Sequence, residues 1–370
     1  MSGAADPAPA PAGPEGEAAS GRALGSGGER SLRPSSDSSS DSSPGAGPAP
    51  AALRLLRAAG RLGLAALLVG WGLTWTARGW WVGELAASLA WYLGLAGAAG
   101  TLLLLAVGLR RAALVALVPT AALLPEALLH LPDDRAGPLA APTGELVVAS
   151  SNLFWEDDAV DGFLAFLDRH DPDVVALQEV SARTLPALEG LADRYPFLVV
   201  SPEVVHAKTW ATAVLSRVPV TAARLVPAPE GIDRPVIEVT LDHAGAAVVL
   251  RNVHPMRPGK PWRNARRGLV LDQLGALPWD AHGILCGDLN TASTSPAFGD
   301  LVAATGLRDS RRGFGRQPTW TTSRHLAGLE VAIDHVLVGD AWHVLERSVH
   351  DVPGSDHRSV VARLALVDGE

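Results

Sequence analysis

Three short segments in the C-terminal third of the chain close apolar runs on acid, amide or imidazole groups. They are Gly287-Asp288-Leu289-Asn290, Ile333-Asp334-His335 and Ser355-Asp356-His357. A β-sheet presents polar chemistry at its rim in this way. Side chains of extended backbone alternate between faces, so Asp288 and Asn290 point to the same side. Gly287 lets the backbone turn sharply just before them. Farther upstream, Asp171-Pro172 ends a helical pattern, because a residue before proline is pushed out of helical geometry. Apolar residues 174–177 then read as a buried strand with Gln178-Glu179 at its exit. A carboxylate there is a hard oxygen ligand suited to Mg²⁺, which also takes waters and substrate oxygens. His254 stands at another strand end before Pro255, and Asn152 closes the first strand of the region. Taken singly, an Asn after a strand reads as a turn residue, and a lone His reads as structural. Asp334 lies in an otherwise apolar strand, where an unpaired carboxylate is costly and needs a partner. His335 falls on the opposite face by alternation and is left out of the site.

Together these segments resemble the motifs of the endonuclease/exonuclease/phosphatase superfamily. Its members are metal-dependent phosphoesterases related to pancreatic-type DNase, apurinic endonucleases, sphingomyelinases and inositol-polyphosphate 5-phosphatases. Residues 213–219 (Ala-Val-Leu-Ser-Arg-Val-Pro) and Pro318-Thr319-Trp320 are similar to further motifs of that superfamily. The resemblance implies a four-layer DNase-like β-sandwich flanked by helices, of the α/β (α+β) class. It implies Glu179 as the principal metal ligand, with Asn152 nearby and Asp356 as a second metal-site carboxylate. The implied ion is Mg²⁺ or Mn²⁺. His254 would face the phosphate, as a donor to a nonbridging oxygen or as an acid for the leaving group. Asp288 would orient or deprotonate the attacking water, and Asn290 would hold that carboxylate and the phosphate. The partner that Asp334 needs would be His357, whose charge and tautomer a carboxylate fixes. Ser216 and Arg217 are expected to organise a strand end, Trp320 to pack beneath the site or to line a substrate groove, with packing favoured, and Arg266, Arg267 and Gln273 to support site or fold. The chain departs from the family pattern at Ser359, where Pro is usual. It also has Thr209, Trp210 and Ala211 where a Gly is often found.

Elements must position these groups. Short β-type runs recur at 146–150, 174–177, 213–215, 236–241, 246–253, 283–286, 332–338 and 360–366. Helical patterns at 157–170, 182–194 and 264–277 lie between them. This alternation argues for layered packing of one large domain over 145–368. Residues 1–50 are rich in Ala, Pro, Gly and Ser, with too little apolar surface to offset the entropy of ordering, and are expected to be disordered. Three apolar stretches follow at about 62–82, 85–109 and 112–131, each near the ~20 residues that cross a bilayer. They predict a three-helix transmembrane anchor over 51–131, with 132–144 as a linker. Arg54, Arg57, Arg61, Arg110 and Arg111 flank one side of these spans, and Arg78 and Arg135 the other. The asymmetry predicts a cytoplasmic N-terminus and an extracytoplasmic catalytic domain.

The 370 residues are 48% hydrophobic and carry a formal net charge of −8, which argues against whole-protein affinity for nucleic acid. A local patch would have to come from Arg263, Arg266, Arg267, Arg308, Arg311, Arg312 and Arg316, which read equally well as solvated surface. The single cysteine, Cys286, excludes an intramolecular disulfide and a cysteine zinc site, and reads as a small core residue. The expected function is hydrolysis of a phosphate ester, on nucleic acid or a phospholipid headgroup. The alternative is an inactive membrane-tethered binding or scaffold module of the same fold. Such a fold does not itself decide the substrate.

Overall fold

The computed structural model describes residues 50–154, 159–202, 211–321 and 328–367. The expected tail, the first two residues of the 157–170 helix, and Thr209 and Trp210 lie outside these. Four helices come first: α1 (Ala51–Thr74), α2 (Trp81–Ser88), α3 (Ala90–Ala106) and α4 (Arg110–Ala122), then a 3-10 turn at Pro125–His130. The remainder runs β1 (Thr143–Asn152), α5 (Ala159–His170), β2 (Val174–Val180), α6 (Leu185–Glu189), β3 (Phe197–Val200) and β4 (Ala211–Ser216). It continues with β5 (Val220–Val226), β6 (Val236–His243), β7 (Ala246–Asn252), α7 (Pro261–Ala276), β8 (Ile284–Asp288) and α8 (Pro296–Thr305). Last come β9 (Arg308–Asp309), β10 (Trp320–Thr321), β11 (Glu330–Val331), β12 (Asp334–Val338), β13 (Trp342–Asp351) and β14 (Arg358–Leu366).

Two mixed six-stranded sheets carry the fold, in the orders β13-β14-β1-β2-β4-β3 and β5-β6-β7-β8-β12-β9. Strict alternation explains how they stack. Val174, Ala176, Ile284, Cys286, Val336 and Val338 fill the core between the sheets. Their neighbours Val175 and Leu177 face α5, where Phe163, Phe166 and Leu167 cover them. Leu285 and Leu337 face α7 and α8 on the other side, against Val270, Leu274 and Leu301. Both faces of each central strand are therefore buried, which is why these strands read as continuous apolar runs. Each fully buried aliphatic side chain adds roughly 1.5–3 kcal/mol. The result is four layers, helix–sheet–sheet–helix. Polar pairing also joins the sheets: Gln178 Nε2 donates to Asn252 Oδ1 at 2.8 Å, and Asn252 Nδ2 donates to the carbonyls of Leu177 and Ala213.

The region of the three expected spans folds differently. Among the described residues, no single helix is long and apolar enough to cross a membrane. α2 and α3 together have that length and apolarity but meet at 63°. The first stretch breaks after Thr74, where the Thr74 and Thr76 hydroxyls bond the carbonyls of Trp71 and Leu73 and compete with helical bonding. The second breaks at Leu89, beside Ser88, whose hydroxyl donates to the Glu84 carbonyl. The third ends before Pro125. The 182–194 helix shortens to α6, with Ser181 and Thr184 bonded to each other just before it and the chain turning after Glu189 at Gly190. Residues 133–137 lie along β13, with Gly137 N donating to Val344 O at 2.9 Å and Asp133 paired with Arg308 and Arg312.

Candidate active site

Strand direction brings the polar ends together. β1 and β2 run parallel, as do β7 and β8, so Asn152, Glu179, His254 and Asp288 stand at or just past four C-terminal strand ends. β12 is antiparallel to β8, and β14 is antiparallel to β1. Their N-terminal ends therefore reach the same rim, carrying Asp334 and, just before Arg358, Asp356 and His357. Asp334 and Asp288 are direct cross-strand partners.

Local backbone aims the groups. Glu179 has φ +57° where the β2–β4 register slips between Leu177 and Val180, a left-handed bulge that turns its carboxylate toward the rim. Gly287 has φ +146°, and a Cβ there would meet the Val253 carbonyl oxygen at 2.0 Å. Only glycine allows β8 to approach the end of β7 so closely. Asn290 is left-handed too, with φ +50°, a region Asn tolerates.

Asp288 is the hub. Its Oδ2 lies 3.1 Å from Asn152 Nδ2, 3.4 Å from Asn290 Nδ2, 3.5 Å from His254 Nε2 and 3.8 Å from His357 Nε2. Its Oδ1 accepts from the Asn290 backbone N–H at 2.8 Å. Burial, then the neighbouring Asp334 charge, pushes its pKa up, against the pull of His357. Asn152 Nδ2 also faces Glu179 Oε1 at 3.4 Å, so one amide links the two carboxylates.

The two histidines differ in state. His357 Nδ1 sits 2.9 Å from Asp334 Oδ2. Burial alone would lower its pKa, but Asp334 and then Asp288 outweigh it and raise the value to about 10. It is an imidazolium at neutral pH. His254 is lowered well below the ordinary range by burial, then by Arg234 and His357. Arg234 Nη1 lies 3.1 Å from His254 Nδ1. A guanidinium only donates, so Nδ1 accepts and the proton sits on Nε2, facing Glu179 and Asp288.

Asp288, Asp334 and His357 bring ligand-type atoms within 4.8 Å of one another. That trio is better described as an ion-pair network, because a protonated imidazole already bonded to Asp334 cannot ligate. Glu179, Asp288 and Asp356 also line one cleft of about 640 Å³ and offer the carboxylate oxygens that a hard cation takes. Asp356 Oδ2 accepts from Trp320 Nε1 at 3.1 Å, while its Oδ1 is buried with no hydrogen-bond partner among the described residues. Trp320 thus lines the cleft, the second of its two expected roles, and bonds a site carboxylate.

Of the expected site residues, Glu179, His254, Asp288, Asn290, Asp356 and His357 line the cleft, and Asn152 and Asp334 hold them from behind. His335 lies outside it; its Nε2 reaches the Thr291 carbonyl at 2.9 Å. No motif pointed to Arg234, nor to Leu85, Ser88 and Leu89, which wall the cleft from the helical region. The expected arginine patch is mostly internal pairing. Arg311 is bonded to Asp309, Arg316 to Glu126, Arg308 and Arg312 to Asp133, and Arg267 to Glu84. Arg263 and Arg266 lie over the Trp262 ring.

A four-layer sandwich with carboxylates, amides and two histidines at one rim defines a phosphoester hydrolase. Residues 149–357 match the Endonuclease/Exonuclease/phosphatase family, and the chain belongs to it. The chain is also similar to solved structures. A humanized TDP2 from D. rerio is 18% identical, with 60% of this chain and 99% of that one covered and a TM-score of 0.49. An endonuclease/exonuclease/phosphatase from Beutenbergia cavernae is 22% identical over 60% of this chain and 72% of its own, with a TM-score of 0.48. Sphingomyelinase C from Streptomyces griseocarneus is 18% identical over 59% and 99%, with a TM-score of 0.46. No match was found among curated proteins.

Proposed function

We propose that this chain is a membrane-anchored, Mg²⁺- or Mn²⁺-dependent phosphodiesterase that acts by in-line attack of water. The observation that carries it is the convergence of Asn152, Asn290, His254 and His357 on one Asp288 oxygen. Glu179 and Asp356 would hold the cation beside Asp288, with the Asn152 amide fixing Glu179 and Asp288; when bound, the cation would neutralise charge on the phosphate and the leaving oxygen. Asp288 aligns the water and takes its proton; its raised proton affinity suits a base. Asn290 holds that carboxylate and the phosphate. His254 donates its Nε2–H to a nonbridging oxygen, and the His357 imidazolium, kept charged by Asp334, balances the anionic transition state.

Two features favour a lipid-derived diester over nucleic acid. Leu85, Leu89, Val331 and Ile333 give the cleft an apolar wall. Leu62, Val69, Leu102, Leu105, Leu114 and Val118 are exposed on α1, α3 and α4, a surface that suits lipid. Arg57 Nε bonds the Val107 carbonyl, so the arginines of α1 lie near the α3–α4 turn with Arg110 and Arg111. The opposite end of α1 leads to Arg78, which pairs with Asp300 of the sandwich. This arrangement supports a cytoplasmic basic end and an extracytoplasmic catalytic domain.

The test uses the full chain in detergent with bis-p-nitrophenyl phosphate. Turnover should vanish with EDTA and return with Mg²⁺ or Mn²⁺. Asp288→Ala and Glu179→Ala should each lower kcat on the order of 10²-fold or more. Metal-independent turnover, or none on any diester, removes the reading; the latter leaves a binding or scaffold module. Sphingomyelin and plasmid DNA, run in parallel, separate the two substrate classes.

A further inference from the structure

We propose that Glu84, in the helical region far from the family motifs, is a positioning residue for Asn290. The inference rests on the reading of Asn290 as a phosphate-site group. Glu84 is fully buried. Its Oε1 accepts from Arg267 Nη1 at 2.9 Å and from the Thr291 hydroxyl at 2.8 Å. Its Oε2 accepts from the Ser295 hydroxyl at 2.7 Å. All three donors belong to, or directly grip, the loop that follows Asp288. Arg267 in turn donates from the same Nη1 to the Asn290 carbonyl at 2.7 Å. One helical carboxylate therefore fixes both the guanidinium that holds the Asn290 backbone and the next residue along.

The position of Glu84 is itself fixed. α2 packs tightly against the end of α1: a Cβ on Gly83 would meet Thr76 Oγ1 at 2.3 Å and the Leu73 carbonyl at 2.7 Å. One turn later the Thr294 hydroxyl bonds the Ala87 carbonyl at 2.6 Å. The left-handed Asn290 must keep its N–H on Asp288 and its side chain on the Pro255 carbonyl. A loop held from one side by strand β8 and from the other by α2 keeps that geometry; a loop held by β8 alone is free to relax. A carboxylate buried against a guanidinium has no solvent substitute, so its removal is felt by the groups it held.

The experiment uses the full chain with Glu84→Ala, Asn290→Ala, the double variant, and Arg78→Ala as a control that breaks an exposed contact of the same helical region. Hydrogen exchange over residues 289–295 and steady-state kinetics on bis-p-nitrophenyl phosphate are the readouts. Glu84→Ala should speed exchange across 289–295 by roughly tenfold or more, with Arg78→Ala unchanged. It should lower kcat about tenfold with KM within about twofold, and cost less than about twofold when added to Asn290→Ala. If Glu84→Ala does not fold, Glu84→Gln, which keeps an acceptor for Arg267 and Thr291, should show a smaller change of the same kind. Unchanged exchange over 289–295, or a kcat loss that multiplies that of Asn290→Ala in full, overturns the proposal. If the wild type hydrolyses no diester, the functional reading falls and the exchange result alone decides for or against Glu84 as the support of this loop.

Discussion

His254 and His357 flank the same carboxylate and hold opposite charge states. The difference is set by what faces the second nitrogen of each ring: Arg234 for His254, Asp334 for His357. A pH signature follows. Folded His357 titrates near 10, and an unfolded histidine near about 6.5. The folded state holds the extra proton between those values. The contribution of the imidazolium is therefore complete below about pH 6.5 and is lost as the pH rises toward 10. Asp334→Asn removes the strongest raising charge. The stability gap between wild type and Asp334→Asn, from urea unfolding of the metal-free protein, should be larger at about pH 6 than at about pH 9.5. A gap independent of pH would show that Asp334 does not set the charge of His357.

Strands do more here than supply a scaffold, because their irregular ends aim the chemistry. The bulge at Glu179 and the turn at Gly287 are two such ends. Gly287→Ala must either displace the Val253 carbonyl or abandon φ +146°. We expect a loss of about 3 kcal/mol or more in unfolding free energy, from strain and overpacking together. Because His254 follows Val253 directly, activity should fall further than stability explains, on the order of 10²-fold in kcat. A variant with wild-type midpoint and kcat would mean that β7 and β8 separate without cost.

At the scale of the whole molecule, the helical region and the sandwich form one packed body. Tyr92 Oη donates to the Glu330 carbonyl and accepts from the Glu330 N–H, and Glu126 reaches Ser293 and Arg316. The exposed apolar faces of α1, α3 and α4 then predict where this body sits. The full chain should remain in the membrane pellet after alkaline carbonate washing. Protease added to intact cells lacking an outer barrier should remove the sandwich. Recovery in the soluble fraction would overturn the anchor, and protection from external protease would reverse the orientation.

The sequence by itself determined the class of fold and the group of polar residues at strand ends. Alternation and apolar runs are local properties, and Asp288 or Glu179 at the end of such a run is visible without any partner. It also determined that Asp334 needed a counter-charge, because a carboxylate in an apolar strand cannot stay alone. Tertiary structure decided the rest. The protonation of His254 depends on Arg234, a residue from a loop with no motif. The role of Trp320 depends on its reach to Asp356. The three apolar stretches read as spans, yet Thr74, Thr76 and Ser88 bond nearby backbone carbonyls where the first two are broken, and hydropathy does not register such bonds. Glu84 lies in the sequence between the apolar stretches 62–82 and 85–109; only the fold places Arg267, Thr291 and Ser295 around it. Contacts between groups some 200 positions apart leave no local pattern, because their energy comes from partners that the chain brings together only on folding.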